Sequence, residues 1–218
     1  MALPFTVEQF HDVFRDYNRV VWPAQRLLAA LALAAVAAAL RPKPWPWTGV
    51  FVSASLGFLW AWIAFAYHVA FFARINPVAY GFAALSAAGA VAFIWQGVVR
   101  RRLAFRRVPG LKTAAGVALV AFALVVYPVW SAYTGHPFPE TPTFGLPCPT
   151  TIFTIGLLCF AVPPTPRSTL IVPLLWCLVG AQAALLLGVE PDFGLVAAGL
   201  VGAALLATAG RQRRTHES

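Results

Sequence analysis

The sequence predicts an all-α polytopic membrane bundle: seven transmembrane helices preceded by an N-terminal amphipathic surface helix. Three observations predict it. Of 218 residues, 60% are hydrophobic and only 11% are charged, whereas a soluble domain carries about 25% charged residues. The excess apolar surface has to face lipid. The apolar residues fall in seven runs, most of them close to the ~20 residues a helix needs to cross ~30 Å of hydrocarbon. The basic residues gather in alternate breaks between those runs, which is the pattern of membrane topology. A net charge of +9 with that distribution argues against a nucleic-acid partner and for the lipid bilayer.

The chain divides into an extracytoplasmic helix over 1–22, the transmembrane domain over 23–210 and a basic cytoplasmic tail over 211–218. In the first segment Thr6 and Gln9 have capping-box spacing. Phe10, Val13, Phe14, Tyr17 and Val21 then recur at helical intervals, with Glu8, His11, Asp12, Arg15, Asp16 and Arg19 on the other face. The pattern reads as a helix lying on the outer membrane surface; a lid over a cavity is the second reading. No short apolar stretch with a cleavage site precedes it, so no signal peptide is read.

The spans run from Pro23 to Leu40, Thr48 to Ala73, Pro77 to Val99, Thr113 to Tyr133, Phe144 to Val162, Ser168 to Val189 and Pro191 to Ala209. The Gly188–Asp192 break makes the last two a tight helical hairpin. Placing Arg100, Arg101, Arg102, Arg106, Arg107 and Lys112 inside puts 12 of the 16 basic residues on one side. Six of the seven acidic residues fall on the other. The expected location is the bacterial cytoplasmic (inner) membrane, with the N-terminus outside and the C-terminus cytoplasmic. Trp22 and Trp130 then mark the outer interface, and Trp45, Trp47 and Trp95 the inner one.

Polar groups within a membrane are costly and mark function or specific helix contacts. Each span contributes one to the outer-leaflet layer: Gln25 and Arg26, Tyr67 and His68, Tyr80, Tyr127, Cys148 and Thr150, Gln182, and Asp192. These are the candidate ligand-binding residues. They suggest a cavity open to the outside and closed below by Trp60, Trp62 and Trp176. Arg26 needs an acidic partner, for which Asp16, Glu190 and Asp192 are candidates.

The fifth span is unusual. Five prolines lie between His136 and Thr151, which excludes an ordinary helix there. The clean run from Ile152 to Val162 would cover only about 16 Å. Residues 144–149 are therefore expected within the membrane as irregular backbone, which is tolerated where it is buried in protein or lines a wet cavity. A Pro-interrupted span also points to a transporter site. Pro149 at the first helical position would make Cys148 the N-cap, where the helix dipole favours thiolate. Cys148-Pro149-Thr150 is similar to the Cys-Pro-Thr membrane motif of heavy-metal-pumping ATPases, without their ATP machinery. Cys148 and His68 are accordingly the candidate metal ligands, for a soft metal ion.

Four stretches, LPFTVEQF from Leu3, YNRVVWPAQ from Tyr17, AYHVAFFARINP from Ala66 and PTFGLPCPTTIFT from Pro142, resemble a bacterial family of multi-pass membrane proteins, a domain-of-unknown-function family. The resemblance implies the fold and brings no activity. Three seven-span classes fit poorly. The last span lacks the lysine of a retinal Schiff base, one histidine is too few for a zinc hydrolase site, and no Gly-x-Ser-x-Gly is present. The expected function is transport or binding of a small solute or soft metal ion through an outward-facing pocket. The alternatives are a structural or sensor subunit of a membrane complex and a membrane-embedded enzyme using Cys148 or His68. Gly194, Gly199 and Gly202 offer a small-residue face for helix–helix packing, within one chain or between copies as a homo-oligomer.

Overall fold

The computed structural model describes residues 4–209; the expected cytoplasmic tail lies outside them. The described residues are helical apart from their connections. Helix α1 (Val7–Val20) leads into α2 (Ala24–Leu40). Then come α3 (Thr48–Arg74), α4 (Ala79–Val99), α5 (Leu111–Tyr133), the short α6 (Pro147–Leu158), α7 (Ser168–Leu186) and α8 (Glu190–Thr208). Every expected span is a helix. Five of them, α3, α4, α5, α7 and α8, are long and apolar enough to cross a membrane, or six if α1 and α2, bent by 85°, form one broken span. The expected count of seven thus meets two short members. Helix α2 has 17 residues and α6 has 12.

The short helix forms the centre. Eleven of the twelve residues of α6 are buried, Cys148 being half-buried. It packs against α5, α7 and α8, and Trp60 on α3 donates to Thr154 Oγ1 at 3.2 Å. At about 18 Å it is too short to face lipid across the bilayer, and it has protein on all sides instead. The irregular backbone before it is satisfied internally, as that depth requires. Leu146 N–H donates to Thr143 O at 3.1 Å and Gly145 N–H to Thr150 Oγ1 at 3.2 Å. The helix starts earlier than the sequence suggests. Leu146 is the N-cap and Pro147 takes the first position, where its missing N–H costs nothing. Cys148 is therefore inside the first turn.

Helix α1 has the expected capping box: Thr6 N–H donates to Gln9 Oε1 at 2.9 Å, and Gln9 N–H to Thr6 Oγ1 at 3.2 Å. Its apolar face rests on protein. Phe10, Val13, Phe14 and Tyr17 pack with Tyr67, Phe71, Phe72, Leu146 and Leu187 into a cluster of their own. Polar groups fix it there. Asn18, fully buried, donates to Pro139 O at 2.7 Å and Thr141 O at 2.8 Å, and accepts from Thr143 Oγ1 at 2.6 Å. Trp62 Nε1 donates to Tyr17 Oη at 2.7 Å.

The opposite end is closed by backbone. Residues 104–106 and 160–162 pair through Arg106 N–H to Phe160 O at 2.9 Å and Val162 N–H to Ala104 O at 2.8 Å. This tucks Leu103 and Phe105 under the basic loop. Gly116 and Gly156 bring α5 and α6 so close that a Cβ on Gly116 would lie 2.8 Å from Gly156 O. On α8, Gly194 lies against Phe122, Gly202 against Ile155 and Leu174, and Gly199 nearest Cys177. Gly194 and Gly202 thus pack within one chain, the first of the two arrangements expected for this face.

Candidate functional site

The π-helical turn Ile63–Val69 in α3 places the first components. In a regular α-helix consecutive side chains diverge by about 100°, so one of two neighbours usually faces away from the core. Here Tyr67 and His68 are both buried, and both line one cavity of about 190 Å³ beneath α1. Such single π-turns recur at functional sites. The Gly188 break, with φ +69°, ends α7 and turns the chain so that Asp192 enters the same cavity from the start of α8. A residue with a Cβ rarely adopts that φ, so glycine suits the turn.

The cavity has an aromatic wall and a small polar floor. Phe10 and Phe14 come from α1, Phe72 from α3, Phe82 from α4 and Trp176 from α7. His68 sits within the ring cluster, its centroid 5.1 Å from Trp176 and from Tyr67 and 5.8 Å from Phe82. On the floor Tyr127 donates its hydroxyl to Asp192, and Cys148 lies beside that carboxylate. Asp192 is 1% exposed, and so is His68. Both ring nitrogens of His68 are buried without a hydrogen-bond partner, and Trp176 Nε1 has only the Cys148 sulfur beside it.

Above the cavity, α1 is held by a second group of titratable residues. His11 stacks on His136 with centroids 4.0 Å apart and planes 9° from parallel, and its Nε2 lies 3.3 Å from Leu187 O. Burial pushes the His11 imidazole below its usual pKa, and a positive charge on His136 would push it the same way. Arg15 bridges Asp12 and Glu140, reaching Glu140 Oε1 at 2.8 Å. That hydrogen bond holds the Glu140 carboxyl below the usual carboxylate range.

Of the sequence-predicted site residues, Tyr67, His68, Tyr127, Cys148, Gln182 and Asp192 come together at this cavity. Gln182 is an exposed member, bonded to Leu178 O at 3.2 Å. Four others do not join. Tyr80 is 61% exposed. Arg26 lies over the Trp22 ring at 4.3 Å, which serves in place of the expected acidic partner. Gln25 donates to Asn18 O at 2.9 Å and so anchors α1. Thr150 accepts from the Gly145 backbone. Depth alone grouped these residues in the sequence, and helix facing divides them. The sequence reading missed Phe10, Phe14, Phe72 and Phe82 as cavity wall. The Phe71-Phe72 pair following Tyr67-His68 was the available signal. Trp60 and Trp62 instead bond Thr154 and Tyr17.

Among the described residues no group of three or more His, Cys, Asp and Glu side chains could hold a metal ion. Cys148 and His68 share the cavity without completing such a set. The fold thus offers an aromatic-walled cavity with a few polar groups, which is the usual make-up of a small-molecule site. The chain belongs to the family described as "Family of unknown function (DUF6064)", whose model matches residues 7–217. No curated protein and no solved structure matches the chain.

Proposed function

We propose that this chain is a membrane-embedded binding protein that takes a small, largely apolar molecule into the cavity beneath α1. The observation that carries the reading is His68, 1% exposed, which lines the cavity with both ring nitrogens unpartnered. A buried polar group without a partner costs about 1–3 kcal/mol, and a ligand that bonds it recovers that cost. The size is suitable. Apolar cavities of about 150 Å³ in soluble proteins take up benzene, and this one is about 190 Å³. Of transport and binding, binding is the reading that the close glycine contacts at the far end favour. An organic ligand also suits the aromatic wall better than a soft metal ion does. The alternation of basic loops supports a bacterial cytoplasmic membrane with α1 on the outer side.

The test is saturable uptake of a fluorescent naphthylamine probe by the purified protein in phosphatidylcholine nanodiscs. Ala183→Trp, which fills the cavity from its α7 wall, should abolish saturable uptake while leaving the elution profile and helical content unchanged. Non-saturable partitioning, equal in wild type and variant, would overturn the reading.

A further inference from the structure

We propose that the ligand is a neutral, lipid-soluble ring bearing a carbonyl oxygen, the chemistry of a quinone head group, and that it arrives laterally from the bilayer. The inference rests on the binding reading above and adds the ligand's chemistry and route.

The chemistry follows from which hydrogen-bonding capacity is free. Trp176 Nε1 is a donor only, and an imidazole carries at least one ring N–H in either tautomer. Both residues line the cavity; the ring nitrogens of His68 have no hydrogen-bond partner, and Trp176 Nε1 has only the weakly accepting Cys148 sulfur beside it. The acidic group of the floor, Asp192, already accepts from Tyr127. The cavity therefore has spare donors beside one imidazole acceptor, and the ligand atom that answers the donors is an acceptor. An ammonium, although the Asp192 carboxylate would attract it, leaves those donors unpaired, and an anion would meet that carboxylate. A neutral carbonyl oxygen meets neither obstacle. The ring follows from the wall. Tyr67, Phe72 and Phe82 lie near-parallel, with successive centroids 6.0 and 6.3 Å apart and planes within 8°. That is an apolar surface suited to a flat molecule.

The route follows from exposure along α7. Val179, Gln182 and Leu186 line the cavity and are also exposed on the helix surface, Leu186 at 58%. Their outer side belongs to an apolar helix long enough to cross the membrane. The cavity reaches the helix surface there, whereas α1 covers the end of the bundle with a bonded clamp. A lipid-soluble ligand enters between those side chains.

The experiment compares three probes of one ring size by equilibrium dialysis against nanodiscs: a short-chain 1,4-benzoquinone, the matching alkylbenzene and the matching arylammonium. The quinone should bind about tenfold more tightly than the hydrocarbon, as one recovered hydrogen bond predicts. Its carbonyl stretch, read by isotope-edited infrared difference spectroscopy, should move to lower frequency on binding. His68→Phe should remove both effects and leave hydrocarbon binding in place. Should that variant fail to fold, Trp176→Phe reads the second donor by the same two measures. Equal binding of quinone and hydrocarbon, or tighter binding of the ammonium, overturns the inference and leaves the cavity reading standing. Absence of saturable binding by all three overturns both.

Discussion

The two ends of this bundle are built on different principles. At the basic-loop end, backbones touch. Gly49 faces Leu103 O with no room for a Cβ, and Gly116 and Gly156 abut across α5 and α6. At the α1 end an added amphipathic helix caps the bundle, held by side-chain hydrogen bonds and aromatic contacts. That end holds the aromatic-walled cavity of about 190 Å³, whereas the clefts at the basic-loop end are lined by loop residues such as Arg106, Pro109 and Lys112. Small-residue contacts join the helices at one end, and polar, breakable contacts surround the chamber at the other. Close packing in a membrane comes from small residues, because lipid supplies no hydrophobic drive between helices. A cavity has to be framed by other means.

This contrast can be broken from the glycine side first. Gly49→Ala should cost more than about 3 kcal/mol, since the obstructing atom is a backbone oxygen that cannot rotate aside. The expected readout is loss of the monodisperse peak in detergent. Next comes the clamp. Asn18→Ala leaves buried carbonyls and the Thr143 hydroxyl unpaired, at about 2–3 kcal/mol. It should lower the thermal midpoint and raise protease sensitivity around α1, with the glycine end unaffected.

A smaller effect is expected from pH. His11 binds a proton less readily folded than unfolded. Below its unfolded pKa of about 6.5, the unfolded chain takes up more protons, so stability falls as pH falls. The thermal midpoint should drop between pH 7.5 and 5.5, and His11→Phe should flatten that dependence. The smallest change is Arg15→Ala. Its partners are solvent-screened, and a midpoint shift as large as that of Asn18→Ala would remove the distinction between clamp and surface pair.

Hydropathy and charge made the spans legible, and the Thr6–Gln9 box made the start of α1 legible. Depth made half of the site legible: Tyr67, His68, Tyr127, Cys148 and Asp192 do meet. Rotation about each helix axis was not readable. A π-helical turn re-aims every side chain after it, and the sequence around Ile63–Val69 carries no mark of it. The role of α1 was also hidden. An amphipathic face looks the same whether lipid or protein covers it, and only the partners Phe71, Phe72 and Leu187 decide. Pro149 suits the first helical position and would leave Cys148 as the N-cap. Pro147 suits it equally and takes it.

The twelve residues of α6 carry a consequence for biosynthesis. A segment this short, with prolines before and within it, cannot partition from the translocation channel as an independent span. Its surroundings include α7 and α8, which emerge from the ribosome after it. The middle of the molecule is therefore assembled last, when the C-terminal hairpin arrives and encloses it, and a nascent chain truncated before Ser168 should leave α6 outside the membrane.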